Sequence, residues 1–300
     1  MQTVIVLLSA YNGEKYIAEQ LDSVLAQEGM DVRIQIRDDG STDGTLQILE
    51  QYRSRFPDRI RVEQGAHKGF SGSFLSLAFH AESADLYAFC DQDDVWLPDK
   101  LASAVSLISS TSGIPEMYFS NAILTDSRLA PIRPLYEDFR FPSELSMRLA
   151  ENPAPGCTIV FNRTARDLFV QADVKKIVYY DFWMYLLCSY LGNVVYDRDP
   201  KVMYRQHDGN VMGYSKHKKT WGNRVKKLLH RLHLREYAAS ELLRLYGSQL
   251  EPAERESAAM MACYRKSAAA RIRLLFCKKV RAADAEKNFW FKLQVILGSA

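Results

Sequence analysis

The opening of the chain repeats one pattern: a short apolar, β-branched run, then a polar turn, then a stretch with helical spacing. Thr3 to Leu8 leads into Ser9-Ala10-Tyr11-Asn12-Gly13 and a helix over Glu14 to Gln27. Val32 to Arg37 leads into Asp38-Asp39-Gly40-Ser41-Thr42-Asp43-Gly44-Thr45 and a helix through Leu46, Ile48, Leu49 and Tyr52. Arg59 to Glu63 reads as a third strand, followed by the loop Gly65 to Phe70 and a helix over Ser71 to Ala84. Leu86 to Cys90, apolar throughout, is the fourth strand. Near-continuous apolar strands alternating with helices predict an α/β fold, a mostly parallel central sheet with right-handed crossovers and helices on its faces. Ligands of such sheets bind at the strand carboxyl ends. Four polar loops therefore converge on one edge: Ser9 to Asn12, Asp38 to Ser41, His67-Lys68, and Asp91-Gln92-Asp93-Asp94.

The last of these loops is the most charged. Carboxylates this close repel one another unless a cation lies among them, and a hard divalent cation held through oxygen is the usual solution. The alternative is an acidic helix start, because Pro98 opens a helix well and Asp near a helix N-terminus offsets the macrodipole. On either reading Asp94 to Lys100 is mostly the start of the next helix. There is no GxGxxG fingerprint and no Walker loop; Gly69 and Gly72 have the wrong spacing. Beyond Lys100 the alternation is less regular. Met117 to Leu124 reads as a strand and Pro131 to Pro142 as a surface loop. The turn Pro155-Gly156-Cys157 precedes a strand at Ile159 to Phe161, and a helix follows from Thr164. Another helix runs from Tyr179-Tyr180-Asp181-Phe182-Trp183 to Leu191, before short strands at Val194 to Tyr196 and Val202 to Tyr204 that end on Arg205-Gln206-His207.

With 300 residues and 47% hydrophobic content, the chain can bury one large core or a large and a smaller one. The net charge of +3 hides an asymmetry: from Lys216 onward there are 19 Lys and Arg against 7 Asp and Glu, and before it 20 against 29. The texture turns basic and helical there, so a boundary is placed near Tyr214, separating residues 1–214 from a helical extension over 215–300. Its helices show apolar faces through Trp221 to Leu232, Tyr237 to Tyr246, Ala258 to Phe276 and Asn288 to Leu297. Trp221, Phe289, Trp290 and Phe291 interleaved with Lys and Arg suit an anionic membrane surface better than nucleic acid. Packing on the main body, or on a second subunit in a homo-oligomer, is the alternative. Five cysteines without paired spacing suggest reduced thiols. The first residues read as a strand rather than a signal peptide, and no run approaches the roughly 18 apolar residues of a membrane span. The expected location is cytoplasmic, peripheral at the inner face of the plasma membrane.

Five motifs in order, Ser9 to Gly13, Asp38 to Thr45, Asp91 to Asp94 with Trp96, Pro98 and Lys100, Tyr180 to Trp183, and Tyr204 to His207, resemble glycosyltransferase family 2 and, within it, the bacterial rhamnosyltransferase-like branch. The resemblance runs from about Thr3 to Gly213. It implies a GT-A fold, a nucleotide-diphosphate sugar donor (dTDP or UDP), a divalent cation (Mn or Mg) and inversion at the anomeric carbon. Tyr11 would pack on the nucleobase and Ser9 reach the ribose or phosphate. Asp39, with Asp38 behind it, would accept the imide N–H of uracil or thymine; a turn and helix cap is the other reading of this pair, and the two can coexist. Asp91 and Asp93 match the DxD signature, Asp91 toward the ribose and Asp93 as metal ligand, completed by His207. Asp181 matches the catalytic base, with a helix cap as its bland reading. Tyr180 and Trp183 would line the acceptor site, Gly156 would let backbone approach the donor sugar, and Lys68 would touch a phosphate. The loop departs from the family at His67 and Ser73, where relatives often carry Asn. The implied reaction is transfer of a sugar, first choice L-rhamnose from dTDP, to a saccharide or lipid-linked glycan. A UDP-hexose or UDP-N-acetylhexosamine transferase, or a non-catalytic nucleotide-sugar binding protein, is the alternative.

Overall fold

The computed structural model describes residues 2–142, 144–173, 176, 177, 179–207 and 221–297, with the backbone alone over 221–233. The boundary expected near Tyr214 and the side chain of Trp221 lie outside the described residues. In chain order come β1 (Thr3–Ala10), α1 (Ile17–Leu25), β2 (Asp31–Asp38), α2 (Thr45–Arg55), β3 (Ile60–Gln64), α3 (Gly69–His80) and β4 (Leu86–Cys90). Then follow β5 (Val95–Trp96), α4 (Lys100–Leu107), β6 (Glu116–Thr125), β7 (Pro131–Pro134), α5 (Leu145–Arg148), a 3₁₀ turn (Gly156–Thr158) and β8 (Ile159–Asn162). The remainder is α6 (Arg163–Phe169), α7 (Tyr180–Leu191), β9 (Asn193–Arg205), α8 (Trp221–Tyr246), α9 (Pro252–Cys263), α10 (Ala268–Phe276) and α11 (Ala285–Leu297).

The chain divides into two compact units. One takes Met1–Asp138, Ala154–Val170 and Asn193–Ser215, the other Phe139–Pro153, Gln171–Gly192 and Lys216–Ala300. The first holds a nine-stranded sheet in the order β3-β2-β1-β4-β8-β6-β9-β5, with β7 paired to β6. From β3 to β4 it is parallel, as the alternation predicts. Beyond β4 it is mixed: β8 runs antiparallel to β4 and β6, β9 parallel to β6, and β5 antiparallel to β9. One face carries Val4, Val6, Leu8, Ile34, Ile36, Ala88 and Cys90 against the apolar sides of α1, α2 and α4. On the other, Phe89 packs on Phe74 and Phe161. Every residue of β4 is fully buried, which explains its lack of polar alternation. The chain steps outward from β1 to β2 and β3, then returns to place β4 on the far side of β1. That reversal opens a crevice at the carboxyl ends of β1 and β4, the usual ligand position of such sheets.

Three local expectations are corrected. Pro131 to Pro134 is an edge strand rather than loop, where missing N–H groups cost nothing. Val194 to Tyr204 belongs to one strand, β9, whose register shifts take up Asp197 to Pro200. Asp94 to Lys100 is not simply a helix start, because β5 intervenes and both Asp94 and Lys100 are fully buried.

The second unit is helical. Its apolar faces belong to one long helix, α8, where the sequence suggests two, and to separate α9 and α10, where it suggests one. α9 opens on a capping box between Glu251 and Glu254 with Pro252 in the first turn, and Ser267 caps α10. Glu241 of α8 is buried and accepts from the Asp173 amide, Lys176 and Arg244. Burial alone would raise its carboxyl, but these donors hold it at about 2.

Candidate active site

The loops that follow β1, β2 and β4 are stitched to one another by side chains. The Gln92 amide bridges both ways to Tyr11, accepting from its N–H at 2.8 Å and donating to its carbonyl at 3.0 Å. A Cβ at Gly13 would fall on that amide and displace it. Asn12, at φ 50°, donates its N–H to Ser41 Oγ at 2.9 Å and accepts from the Thr42 amide at 2.8 Å. Gly13 donates to Thr45 Oγ1, and Gly44 to Glu14. The Tyr11 backbone is thereby fixed in place, and the residue is 44% exposed. Ser9 lies one residue before the end of β1, in register with Arg37.

Asp38 is fully buried and both its oxygens serve Ser41, so it builds the turn. Asp39 is also buried, and its carboxylate has several partners. It accepts from the amides of Lys68 (2.9 and 3.0 Å) and Gly69 (2.8 Å), and it pairs with Arg37 at 3.2 Å and with His67 Nδ1 at 3.2 Å. Two amide donors and two ion-pair partners thus surround the carboxylate. The expectation that Asp39 itself accepts a base N–H therefore meets a carboxylate already engaged in holding the start of α3. Lys68 contributes its amide there, while its ammonium reaches Ser76 Oγ at 3.3 Å. The Arg37 guanidinium, buried under the loop, also donates to the Ala66 carbonyl at 2.8 Å.

In the acidic loop, His207 Nε2 lies 2.8 Å from Asp93 Oδ2, and both side chains are mostly buried yet reachable. The two expected metal ligands are thus in contact, although they are separated by more than a hundred residues in sequence. Arg205 fixes this arrangement: its amide donates to Asp94 Oδ1 at 3.0 Å, its Nε to the Asp93 carbonyl at 2.7 Å, and its Nη2 pairs with Glu19. The His207 ring rests on Tyr16, with centroids 4.9 Å apart. A carboxylate oxygen with an imidazole nitrogen suits Mn, and less well Mg. Asp91, Asp94 and Cys157 form a second group whose ligand atoms lie within 4.8 Å of one another. Burial, with the charges of Asp93 and Asp91, pushes the Asp94 carboxyl well above its usual range, and burial likewise pushes the Cys157 thiol up. Asp93 with His207 is the other pair able to hold a divalent cation. Beneath them Lys100 is fully buried, its Nζ 2.7 Å from the Cys157 carbonyl and 3.2 Å above the Trp96 ring. Burial pulls its ammonium down to about 7.

Gly156 begins the buried 3₁₀ turn whose Cys157 carbonyl Lys100 holds. Asp181, Tyr180 and Trp183 belong to the second unit, at the start of α7. Asp181 stands inside the helix rather than at its cap, which is Tyr179, and accepts from the Phe182 amide at 2.7 Å. Trp183 and Tyr180 are buried, so the expectation that they line an acceptor site meets closed packing in this conformation. Nothing in the sequence assigns a role to Gln92, Arg37, Arg205 or Lys100. Arg37 closes a strand in which polar and apolar residues alternate, so like the others it depends on distant partners and carries no local signal.

The fold and the site define a glycosyltransferase of GT-A type, a Rossmann-like sheet with an acidic loop at its switch point and C-terminal helices. The chain belongs to glycosyl transferase family 2, whose profile matches residues 5–156. It is 29% identical over 222 residues, 69% of this chain and 73% of the relative, to "dTDP-rhamnosyl transferase RfbG" of Shigella flexneri. It is 29% identical over 187 residues, 61% of this chain and 69% of the relative, to "UDP-Glc:alpha-D-GlcNAc-diphosphoundecaprenol beta-1,3-glucosyltransferase WfgD" of Escherichia coli. In two further relatives the matched stretch spans 36% and 62% of their length. The crystal structure of S. aureus TarS 1-349 in complex with UDP-GlcNAc shares the fold, with TM-score 0.59, 17% identity, and coverage of 100% of this chain and 82% of that one.

Proposed function

We propose that the protein is an inverting, metal-dependent glycosyltransferase that moves L-rhamnose from a dTDP donor to a hydroxyl of a saccharide or lipid-linked glycan. The observation that carries this reading is the 2.8 Å contact of Asp93 with His207 at the strand ends where the sheet reverses direction. A bound Mn or Mg supplies Lewis-acid neutralisation of the leaving diphosphate. Asp93 and His207 would hold it, and Tyr11 would pack on the base. Ser9 and Asp91 reach the ribose and phosphate, and Gly156 gives the donor sugar close approach to backbone. Asp181 takes the proton of the acceptor hydroxyl as that oxygen attacks the anomeric carbon opposite the diphosphate. Likeness to the rhamnosyl relative supports the sugar. A UDP-hexose or UDP-N-acetylhexosamine donor is the second reading, favoured by likeness to the glucosyl relative. The test is nucleoside diphosphate release from a panel of nucleotide sugars with Mn. dTDP-rhamnose turns over fastest and Asp93→Ala reduces release at least a hundredfold; an unaffected Asp93→Ala enzyme would sink the reading.

The basic helices serve this reaction by meeting an anionic membrane surface at the inner leaflet. Among the described residues no helix is long and apolar enough to cross a membrane. What supports docking is a recess lined by Phe276, Lys278, Lys279, Arg281 and Lys292, with Phe276 80% exposed. The full-length protein co-sediments with anionic liposomes at low salt and is released as salt rises; equal binding to neutral liposomes overturns the idea.

A further inference from the structure

We infer that Gln92 is a positioning residue that sets the span between the two ends of the donor nucleotide, by tying the loop that carries Tyr11 to the loop that carries Asp93. This rests on the donor reading above, with Tyr11 on the base and Asp93 and His207 on the cation, and adds the part that joins them.

The two half-sites stand on separate loops. Tyr11 follows β1 and Asp93 follows β4, and the backbone ladder between those strands ends at Leu8 and Cys90, short of both. Beyond it Gln92 supplies a link. Its side-chain amide accepts from the Tyr11 N–H at 2.8 Å and donates to the Tyr11 carbonyl at 3.0 Å, the same two-way exchange by which residues pair across an antiparallel ladder. The side chain that reaches over to the base platform therefore comes from between Asp91 and Asp93. The link needs a donor and an acceptor together at this length. Glutamate would set a second acceptor against the Tyr11 carbonyl, and asparagine is one methylene shorter. On the opposite loop Gly13 leaves room for the amide, which a Cβ there would displace.

A nucleoside diphosphate binds such a site as two linked groups, the base and the cation-bound diphosphate. The gain from linkage requires both ends to engage at once, and it is largest where the span between them is already set. Without the Gln92 bridge each half keeps its own supports. Asn12 and Gly13 remain bonded to Ser41 and Thr45, and Arg205 remains on the Asp93 carbonyl. Each end then binds its own part of the ligand as before, and the cooperation between the ends is what is lost.

The test compares three probes on the full-length protein: UDP with Mn and pyrophosphate with Mn by titration calorimetry, and uridine without metal by ligand-observed NMR titration. Gln92→Met keeps the length of the side chain and removes both hydrogen bonds. It is expected to weaken UDP with Mn by about tenfold or more, while pyrophosphate with Mn and uridine each change by less than about threefold. Retained binding of the two half-ligands also shows that the variant is folded. Gly13→Ala, which displaces the same amide from the other loop, produces the same pattern, and the double variant is no weaker than the worse single one. If UDP with Mn binds Gln92→Met as it binds wild type, the bridge does not set the span and the inference is overturned. If uridine or pyrophosphate weakens as much as UDP does, Gln92 builds one half-site rather than joining two, and the inference is again overturned. Losses that add in the double variant overturn it as well. If wild type itself does not bind UDP with Mn, the donor reading fails and takes the inference with it.

Discussion

Gly65 is held to glycine by a neighbouring side chain, not by backbone dihedrals. At Gly65 a Cβ would fall on the buried Arg37 guanidinium, whose Nε and Nη1 already lack partners among the described residues. Moving Arg37 would strip Asp39 of its charge partner in a place water does not reach, a loss of about 3 kcal/mol or more. Gly65→Ala is therefore expected to lower Tm by roughly 6 °C or more, measured by thermal melts. Gly40, also next to this loop, is glycine for the other reason, its φ of +89°. The Asp-Asp pair is a case where reading residues alone fell short. Its position at the strand end was legible from the alternating strand before it, but the capture of Asp39 by the amides of the loop at 67–69 was not, because that depends on how α3 begins.

At the scale of elements, β1 and β4 were legible because parallel strands buried on both faces leave a continuous apolar trace, and β2 and β3 because their apolar residues alternate with polar ones. The mixed half was not. β5 has two residues, too few for any periodicity, and it pairs with β9 more than a hundred positions away. The same limit hid Lys100, which opens α4 where a helix start normally faces water. Buried, it ties α4 to the 3₁₀ turn at Gly156–Thr158. Lys100→Met keeps the length and removes a costly buried charge, so folded stability at pH 7 is expected to change by less than about 1 kcal/mol. Turnover of the donor falls about tenfold because the turn loses its tether. The pH dependence separates the two effects. With a folded value of about 7 against an ordinary 10.5, the unfolded chain binds the extra proton between these limits, so wild-type stability rises with pH across that window. Urea melts from pH 6.5 to 9.5 are expected to show this rise in wild type and to lose it in Lys100→Met.

For the whole molecule, charge is distributed unevenly, and so is sensitivity to acid. The second unit is organised on Glu241, whose carboxylate is held at about 2 against an ordinary 4.5. Its stabilisation is complete above the ordinary value and is lost as pH falls through the folded one. Helical signal is expected to decline between pH 4.5 and 2 in wild type. Glu241→Gln starts with Tm lower by several degrees at pH 7 and loses less over that range. The family and the order of its motifs were legible in the sequence; the grouping of 139–153 and 171–192 with the basic helices was not, since it depends on packing rather than composition.

The stitching of the first two loops bears on the heat of ligand binding. Asn12, Gly13 and Glu14 are already bonded to Thr42, Thr45 and Gly44. Half of the crevice is therefore frozen in advance and forfeits little chain freedom when a nucleotide arrives. Calorimetric entropy losses on binding then belong chiefly to the ligand and to the other rim.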